Sequence, residues 1–221
     1  MTGRAVLSWS SGKDCAWALH VCRRDGLARI EALLTTVTEG LDRVAMHGTR
    51  VALLRAQAAA LGLELIEVPL PFPCTNADYE ARMGAACAAL VARGFDTMVF
   101  GDLLLEDVRA YREAQLAGTG LAPLFPLFGA DTAALAARML EGGIEARIVT
   151  CDPTRVPQDL AGRRWDAALI ADLPPGVDPC GENGEFHTCV TNAPGFDAPI
   201  AVTPGDVVVR DGFAYADMIP A

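Results

Sequence analysis

The chain is 221 residues long, 52% hydrophobic and 21% charged, with a formal net charge of -10. That length holds one large domain, or one with a smaller companion, and the composition is globular, not disordered. The acidic balance counts against a broad nucleic-acid footprint, which needs clustered cations.

No apolar run is long enough to cross a bilayer, and no basic-then-apolar leader opens the chain, so a cytosolic, membrane-free protein is expected. Seven scattered cysteines fit a reducing compartment better than a disulfide framework.

In chain order, residues 5–8 read as a buried strand. Residues 14–24 read as a helix in which Cys15, Ala18, Leu19 and Cys22 form one apolar stripe. Arg23 and Arg24 fall in its last turn, and Gly26 stops it. Residues 30–36 give a second strand, 49–61 an alanine- and leucine-rich helix stopped at Gly62, and 63–68 a strand ended by Pro69, Pro71 and Pro73. Thr75 or Asn76 caps a third helix reaching about Arg93, and 97–100 is a fourth strand. This alternation predicts an α/β fold, a doubly wound parallel sheet with helices on both faces. Ligands of such sheets sit beyond the carboxyl ends of the strands. Residues 8–14, 35–38 and the Gly101-Asp102 pair all follow strands, so they should converge there.

Past Gly101 the pattern changes. Residues 106–117 form a charged helix, followed by Gly118-Thr119-Gly120 and a proline-containing apolar loop at 121–128. Asp131 caps a further helix to Glu141, and 146–151 is a strand. Runs at 207–210 and 213–215 flank Asp211-Gly212, a type I′ hairpin signal. The expected division is 1–125 and 126–221, the second part smaller and α+β.

The most informative stretch is Ser8 to Cys15. Ser10-Ser11-Gly12-Lys13-Asp14-Cys15 stands between the first strand and the first helix, and Lys13 is the only lysine among 18 basic residues. Arginine and lysine are not interchangeable at tight sites, so a compact ammonium is wanted here. A Walker A loop is disfavoured: no glycine stands five residues before Gly12, and Asp14 replaces its hydroxyl residue. Backbone N–H groups at a helix start hold anionic oxygens, Gly12 permits close approach, and Lys13 neutralises charge. Asp14 is then an inward-turned cap or a magnesium carrier. The plain alternative is a strand–turn–helix junction using Ser and Asp as caps.

Residues 10–15 resemble the PP-loop of the ATP pyrophosphatases, in the adenine nucleotide alpha hydrolase-like (HUP) superfamily. Its usual form is Ser-Gly-Gly-Lys-Asp-Ser, from which Ser11 and Cys15 depart. Several later features are similar to the diphthine–ammonia ligase-like family: Gly101-Asp102 with Arg109, Arg112 and Glu113, the 123–128 loop, Asp172-Leu173-Pro174, and Gly181-Glu182-Asn183-Gly184-Glu185-Phe186-His187-Thr188. The resemblance runs from Ser8 to about Pro199.

It implies an AMP-forming amide ligase using ATP and Mg2+. Ser8, Ser10, Ser11, Gly12, Lys13, Asp14, Cys15, His47, Gly101, Asp102, Arg109 and Arg112 would surround the nucleotide, with Asp14 on magnesium. Glu182 and Glu185, assigned from charge and place, would bind ammonium or take its proton, and Lys13 would act on the leaving pyrophosphate. The partners implied are ATP, ammonia and an unidentified carboxylate, a small molecule or a protein side chain. The family's named reaction amidates diphthine on elongation factor 2 in archaea and eukaryotes. Alanine- and arginine-rich usage here resembles a high-GC bacterial genome, in which that substrate is not expected. Oligomeric state is left open, a homo-oligomer included.

Each motif has a plainer reading. Asn183-Gly184 suits a hairpin turn with solvent-facing glutamates, and Arg109 with Glu113 suits a solvated i, i+4 pair. His20 reads as a packing residue and His47 as a pocket residue. Cys180, His187 and Cys189 lack a fourth ligand and the paired spacing of a zinc site. Two rival functions stay open: a transfer-RNA thiolation enzyme using Cys180 or Cys189, and a nucleotide-binding sensor without turnover.

Overall fold

The computed structural model describes residues 3–44 and 48–221, so His47 lies outside the described residues. Strands β1 (Arg4–Ser8), β2 (Arg29–Thr38), β3 (Arg43–Val44), β4 (Glu64–Leu70), β5 (Thr97–Val99) and β6 (Ala122–Leu124) form one sheet. Across it β4, β2, β1, β5 and β6 run parallel in that order, and β3 folds back antiparallel on the end of β2. Between the strands lie α1 (Lys13–Asp25), α2 (Val51–Leu61), α3 (Asn76–Ala92) and α4 (Glu106–Leu116).

Strand β1 shows why the sheet is covered on both faces. Ala5 and Leu7 join the core cluster that contains α1 and α2, whereas Val6 joins the one with Cys87 and Leu90 of α3 and Leu116 of α4. A strand buried on both sides must be apolar throughout, as this one is between its ends.

The rest of the chain builds a second, antiparallel sheet from β7 (Glu145–Cys151), β8 (Arg164–Trp165), β9 (Phe186–Asn192), β10 (Val202–Arg210) and β11 (Phe213–Pro220), with α5 (Thr132–Glu141) and α6 (Ala167–Asp172). Strand β7 is its centre, pairing with β8, β9 and β11. This sheet shares its core with the first: Trp17, Leu53 and Leu54 belong to one cluster with Ile148, Phe186 and Val190. Contact there is tight enough that a Cβ on Gly142 would stand 2.5 Å from the Trp17 ring.

Three local expectations are corrected. Within the expected loop at 121–128, Ala122–Leu124 is a fifth parallel strand beside β5; three residues are too few to show a period. Strand β4 continues through Pro69 to Leu70, which its edge position tolerates, since an edge proline's missing donor faces away from the ladder. Helix α1 begins at Lys13 with Gly12 as N-cap and no side-chain cap, so neither serine nor Asp14 caps it. Elsewhere the punctuation acts as expected: Thr75 and Asp78 form a capping box, Asp131 accepts from the Ala134 amide at 2.7 Å, and Asp211 and Gly212 take positive φ of 52° and 85°.

Candidate active site

The stretch between β1 and α1 is held in a conformation glycine would adopt more readily. Ser11 has φ of 70°, a region that costs a non-glycine residue about 1 kcal/mol or more. Its hydroxyl donates to Thr49 Oγ1 at 2.9 Å, and the residue is fully buried. Thr35, at the end of β2, donates to the Trp9 carbonyl at 2.6 Å.

The loop is fastened chiefly by β9. The Val190 amide donates to the Ser11 carbonyl at 2.9 Å, and the Lys13 amide donates to Thr188 Oγ1 at 3.2 Å. Gly12 has room for little else, since a Cβ there would lie 3.2 Å from the Thr188 carbonyl. Gln57, on the buried side of α2, completes the fastening. Its Oε1 accepts from Trp9 Nε1 at 2.9 Å, and its Nε2 donates to the Val190 carbonyl at 2.8 Å and the Ser11 carbonyl at 3.2 Å.

Lys13 is 1% exposed. Its ammonium donates to both Asp14 oxygens at 3.0 Å and to the Cys180 carbonyl, and it lies 5.4 Å from the Trp165 ring centre. Burial alone would lower its proton affinity. The Asp14 carboxylate, and beyond it Cys180 and Glu182, outweigh that and hold the pKa above the ordinary lysine value, so the cation stays charged. Asp14 itself is partly open to solvent.

The residues between α6 and β9 form a loop that carries Cys180 to Lys13. Asp178 Oδ1 accepts from the Cys180 amide at 2.7 Å, and its Oδ2 accepts from the Thr132 hydroxyl at 2.6 Å. Glu185 is buried and spent inside this loop: Oε2 accepts from the Asn183 amide at 2.9 Å, and Oε1 accepts from Asn183 Nδ2 at 3.1 Å and the Asp178 amide at 3.2 Å. Glu182 reaches outward. Its Oε1 accepts from the Leu103 and Leu104 amides at 2.9 and 3.1 Å, joining this loop to the one after β5. Burial raises its pKa, the two amides oppose that, and Asp14 and Lys13 are near enough to act on it too. Gly101 brings the β5 loop against α1, where a Cβ would stand 2.8 Å from the Cys15 amide nitrogen. No hairpin forms at Asn183-Gly184; a turn there leads directly into β9.

A cavity of about 600 Å3 is lined by Ser10 of the loop between β1 and α1 but by none of Lys13, Asp14, Glu182 and Glu185. Ser8, Trp9, Thr35, Thr36, Thr38, Tyr79, Phe100 and Arg112 are among its other lining residues. The carboxyl ends of β1 and β2 therefore meet at one opening, as a doubly wound sheet requires.

Two family models match the chain, one described as the diphthamide synthase N-terminal domain over residues 3–121, the other as the diphthamide synthase C-terminal domain over residues 131–215. The chain belongs to the diphthamide synthase family. No curated protein matches it. The two matches take in every quoted motif except the 123–128 loop, which falls between them, and support a PP-loop type of enzyme with a diphthine–ammonia ligase-like character.

For this diphthamide synthase family member, the remaining expected residues sort by place. Arg112 lines the cavity and forms a two-pronged pair with Asp102, Nε to Oδ2 at 2.6 Å and the second nitrogen to Oδ1 at 3.2 Å. Arg109 is drawn elsewhere: its guanidinium sits 4.7 Å from the Phe128 ring centre and 5.3 Å from that of Phe125, with Glu113 2.9 Å away. His20 packs on Trp17, ring centres 4.6 Å apart. Cys15 donates to the Gly12 carbonyl at 3.0 Å; burial pushes its thiol up to about 11. Cys180 and Cys189 are buried and pushed up to about 12, mainly by burial. Neither is a ready thiolate in this environment.

Among the described residues no group of three His, Cys, Asp or Glu side chains could hold a metal. The described helices include none long and apolar enough to cross a membrane. Sequence reasoning named Thr188 only as the end of the late motif and missed Gln57 and Thr49. Of the latter two only Gln57 left a trace, as the one polar residue in the alanine run at 56–60.

Proposed function

We propose that the chain is an ATP-dependent, AMP-forming amide ligase whose nucleotide sits in the cavity at the ends of β1 and β2. The observation that supports this most is the docking of Thr188 and Val190 on Ser11 and Lys13. It gathers the early loop, with its single lysine, and the acidic late loop around one point. In this reading residues 1–125 hold the nucleotide and 126–221 close over its reacting end.

An acceptor carboxylate oxygen bonds to the α-phosphorus, the bond to the bridging oxygen breaks, and pyrophosphate leaves. Ammonia then attacks the acyl carbon of the acyl-adenylate, AMP departs, and the nitrogen loses a proton. Phosphate oxygens at the α1 N-terminus would meet the backbone amides of the first turn. They would also offer the Lys13 ammonium an anionic partner in place of Asp14, which stabilises charge passing to the leaving group. Asp14, partly open to solvent, suits a magnesium ion that takes most of its ligands from phosphate and neutralises it. Glu182 is the better placed of the two glutamates to bind ammonium or accept its proton, being near Lys13 and Asp14; Glu185 has both oxygens occupied.

The test is AMP and pyrophosphate formation from ATP with ammonium and a panel of carboxylates, peptide-borne ones included. AMP that depends on both co-substrates supports the ligase. Measurable ATP binding with no AMP under any pairing supports a nucleotide sensor and overturns it. Sulfur transfer to RNA, lost on replacing Cys180 or Cys189, would restore the thiolation reading.

A further inference from the structure

Strand β10 is the open edge of the second sheet, paired with β11 on one side only. Val207, Val208 and Val209 are 45, 54 and 57% exposed. Because they are consecutive, both faces of this edge carry exposed valine. Such an edge is a template for another strand unless charge or a bulge blunts it. The bulge here takes in Gly205 and Asp206, between Pro204 and Val207, so the regular stretch Val207 to Arg210 stays open.

The turn determines which backbone groups are free. Asp211-Gly212 is a two-residue connection closing on Arg210 and Phe213, and that closing pair exchanges both of its backbone hydrogen bonds. Alternation makes Val208 with Tyr215 the next bonded pair. Val207 and Val209 therefore turn their N–H and C=O groups away from β11, toward the open edge.

We propose that β10 is a dimer edge, pairing antiparallel with β10 of a second copy about a two-fold axis at Val208. In that register Val207 faces Val209 of the second copy, and the outward backbone groups of each meet those of the other. Val208 faces its own equivalent. Asp206, the bulge residue next to Val207, comes to Arg210 of the second copy at both ends of the contact. Opposite charges on directly facing residues stabilise strand pairing, and a two-fold contact must be self-complementary in this way. Moving the axis to Val207 or Val209 breaks both charge pairs. Within one copy Arg210 has only a loose neighbour, Asp211 at 3.7 Å, on the surface; its guanidinium lies over the Tyr215 ring, on the face it shares with Val208. The two second sheets become one continuous sheet.

The test is sedimentation velocity of the full chain over a concentration series, with a reversible monomer–dimer equilibrium expected. Val208→Lys sets like charges on the axis and should shift the dimerisation midpoint at least tenfold toward monomer. Asp206→Arg should do the same, and adding Arg210→Asp should restore the wild-type midpoint. In a Cys74→Ser background, which removes the exposed native thiol, Val208→Cys should crosslink under mild oxidation. Val207→Cys, facing Val209, should not. The charge swap and the cysteine pair decide the matter even where Val208→Lys disturbs the hairpin. A monomer at every concentration overturns the proposal. So does a dimer indifferent to these changes, or equal crosslinking from positions 207 and 208.

Discussion

Replacing Gln57 by leucine tests whether the loop conformation depends on one buried amide. The side chain is 0% exposed and makes four hydrogen bonds to the loop and β9, one of them to Cys189 Sγ at 3.4 Å. Leucine keeps most of the volume, so the loss is polar. Trp9 Nε1 is then a buried donor without its acceptor, and the Val190 carbonyl loses its amide donor. Ser11 loses less, since its carbonyl still accepts from the Val190 amide. An orphaned buried polar group costs about 1–3 kcal/mol, which puts the variant about 2–4 kcal/mol below wild type. For a chain of this size that lowers Tm by about 5–15 °C. Urea unfolding gives the free energy, and calorimetric titration with ATP should show weakened binding, because Trp9 and Ser11 border the cavity and the α1 N-terminus. A variant within about 0.5 kcal/mol of wild type, the ordinary range of an exposed substitution, with unchanged ATP affinity would refute the fastening role.

Lys13→Arg should abolish turnover while keeping charge, because a planar fork cannot fill a site shaped for an ammonium held by Asp14 and the Cys180 carbonyl; AMP formation at the wild-type rate would contradict this. The two glutamates should separate. Glu182→Gln can still accept from Leu103 and Leu104, so it should fold normally and lower AMP production. Glu185→Gln must aim an amide at donors it formerly accepted from, costing about 1–3 kcal/mol in urea unfolding. Burial, then the Lys13 charge, depresses His187 to about 4 from an ordinary 6.5. A depressed histidine contributes stability that is complete above about pH 6.5 and is lost as pH falls toward 4, about 3 kcal/mol in all. Urea midpoints between pH 7.5 and 4.5 should show that slope, and His187→Gln should flatten it.

Much of this was legible because local chemistry and global fold agree. The β1 residues are apolar because both faces are covered, and Gly26, Gly62, Thr75 and Asp131 punctuate helices by their backbone or capping chemistry alone. Lys13 was conspicuous because arginine fills every other basic position. Ser11 and Cys15, read as departures from the usual loop, become intelligible only with their partners: Thr49 accepts from the strained serine, and the Gly12 carbonyl accepts from the thiol. Gln57 and Thr188 act across 46 and 175 positions of chain respectively, a separation that no periodicity records. Glu185 looked catalytic because acidity and proximity are visible in a sequence, whereas the amides that occupy its oxygens are not. Strand β6 hid because its three residues are recruited by β5 and not by a pattern of their own.

The fastening of the loop between β1 and α1 by β9 also bears on synthesis. Ser10 to Asp14 leave the ribosome early, yet the Thr188 hydroxyl and the Val190 amide that fix them follow much later in translation. A nascent chain that has completed its parallel sheet still lacks these fastenings, and Lys13 still lacks the Cys180 carbonyl. The loop is thereby left unfastened until the final third of the polypeptide has emerged and folded back, and on the proposed reading an unfinished chain would not consume ATP.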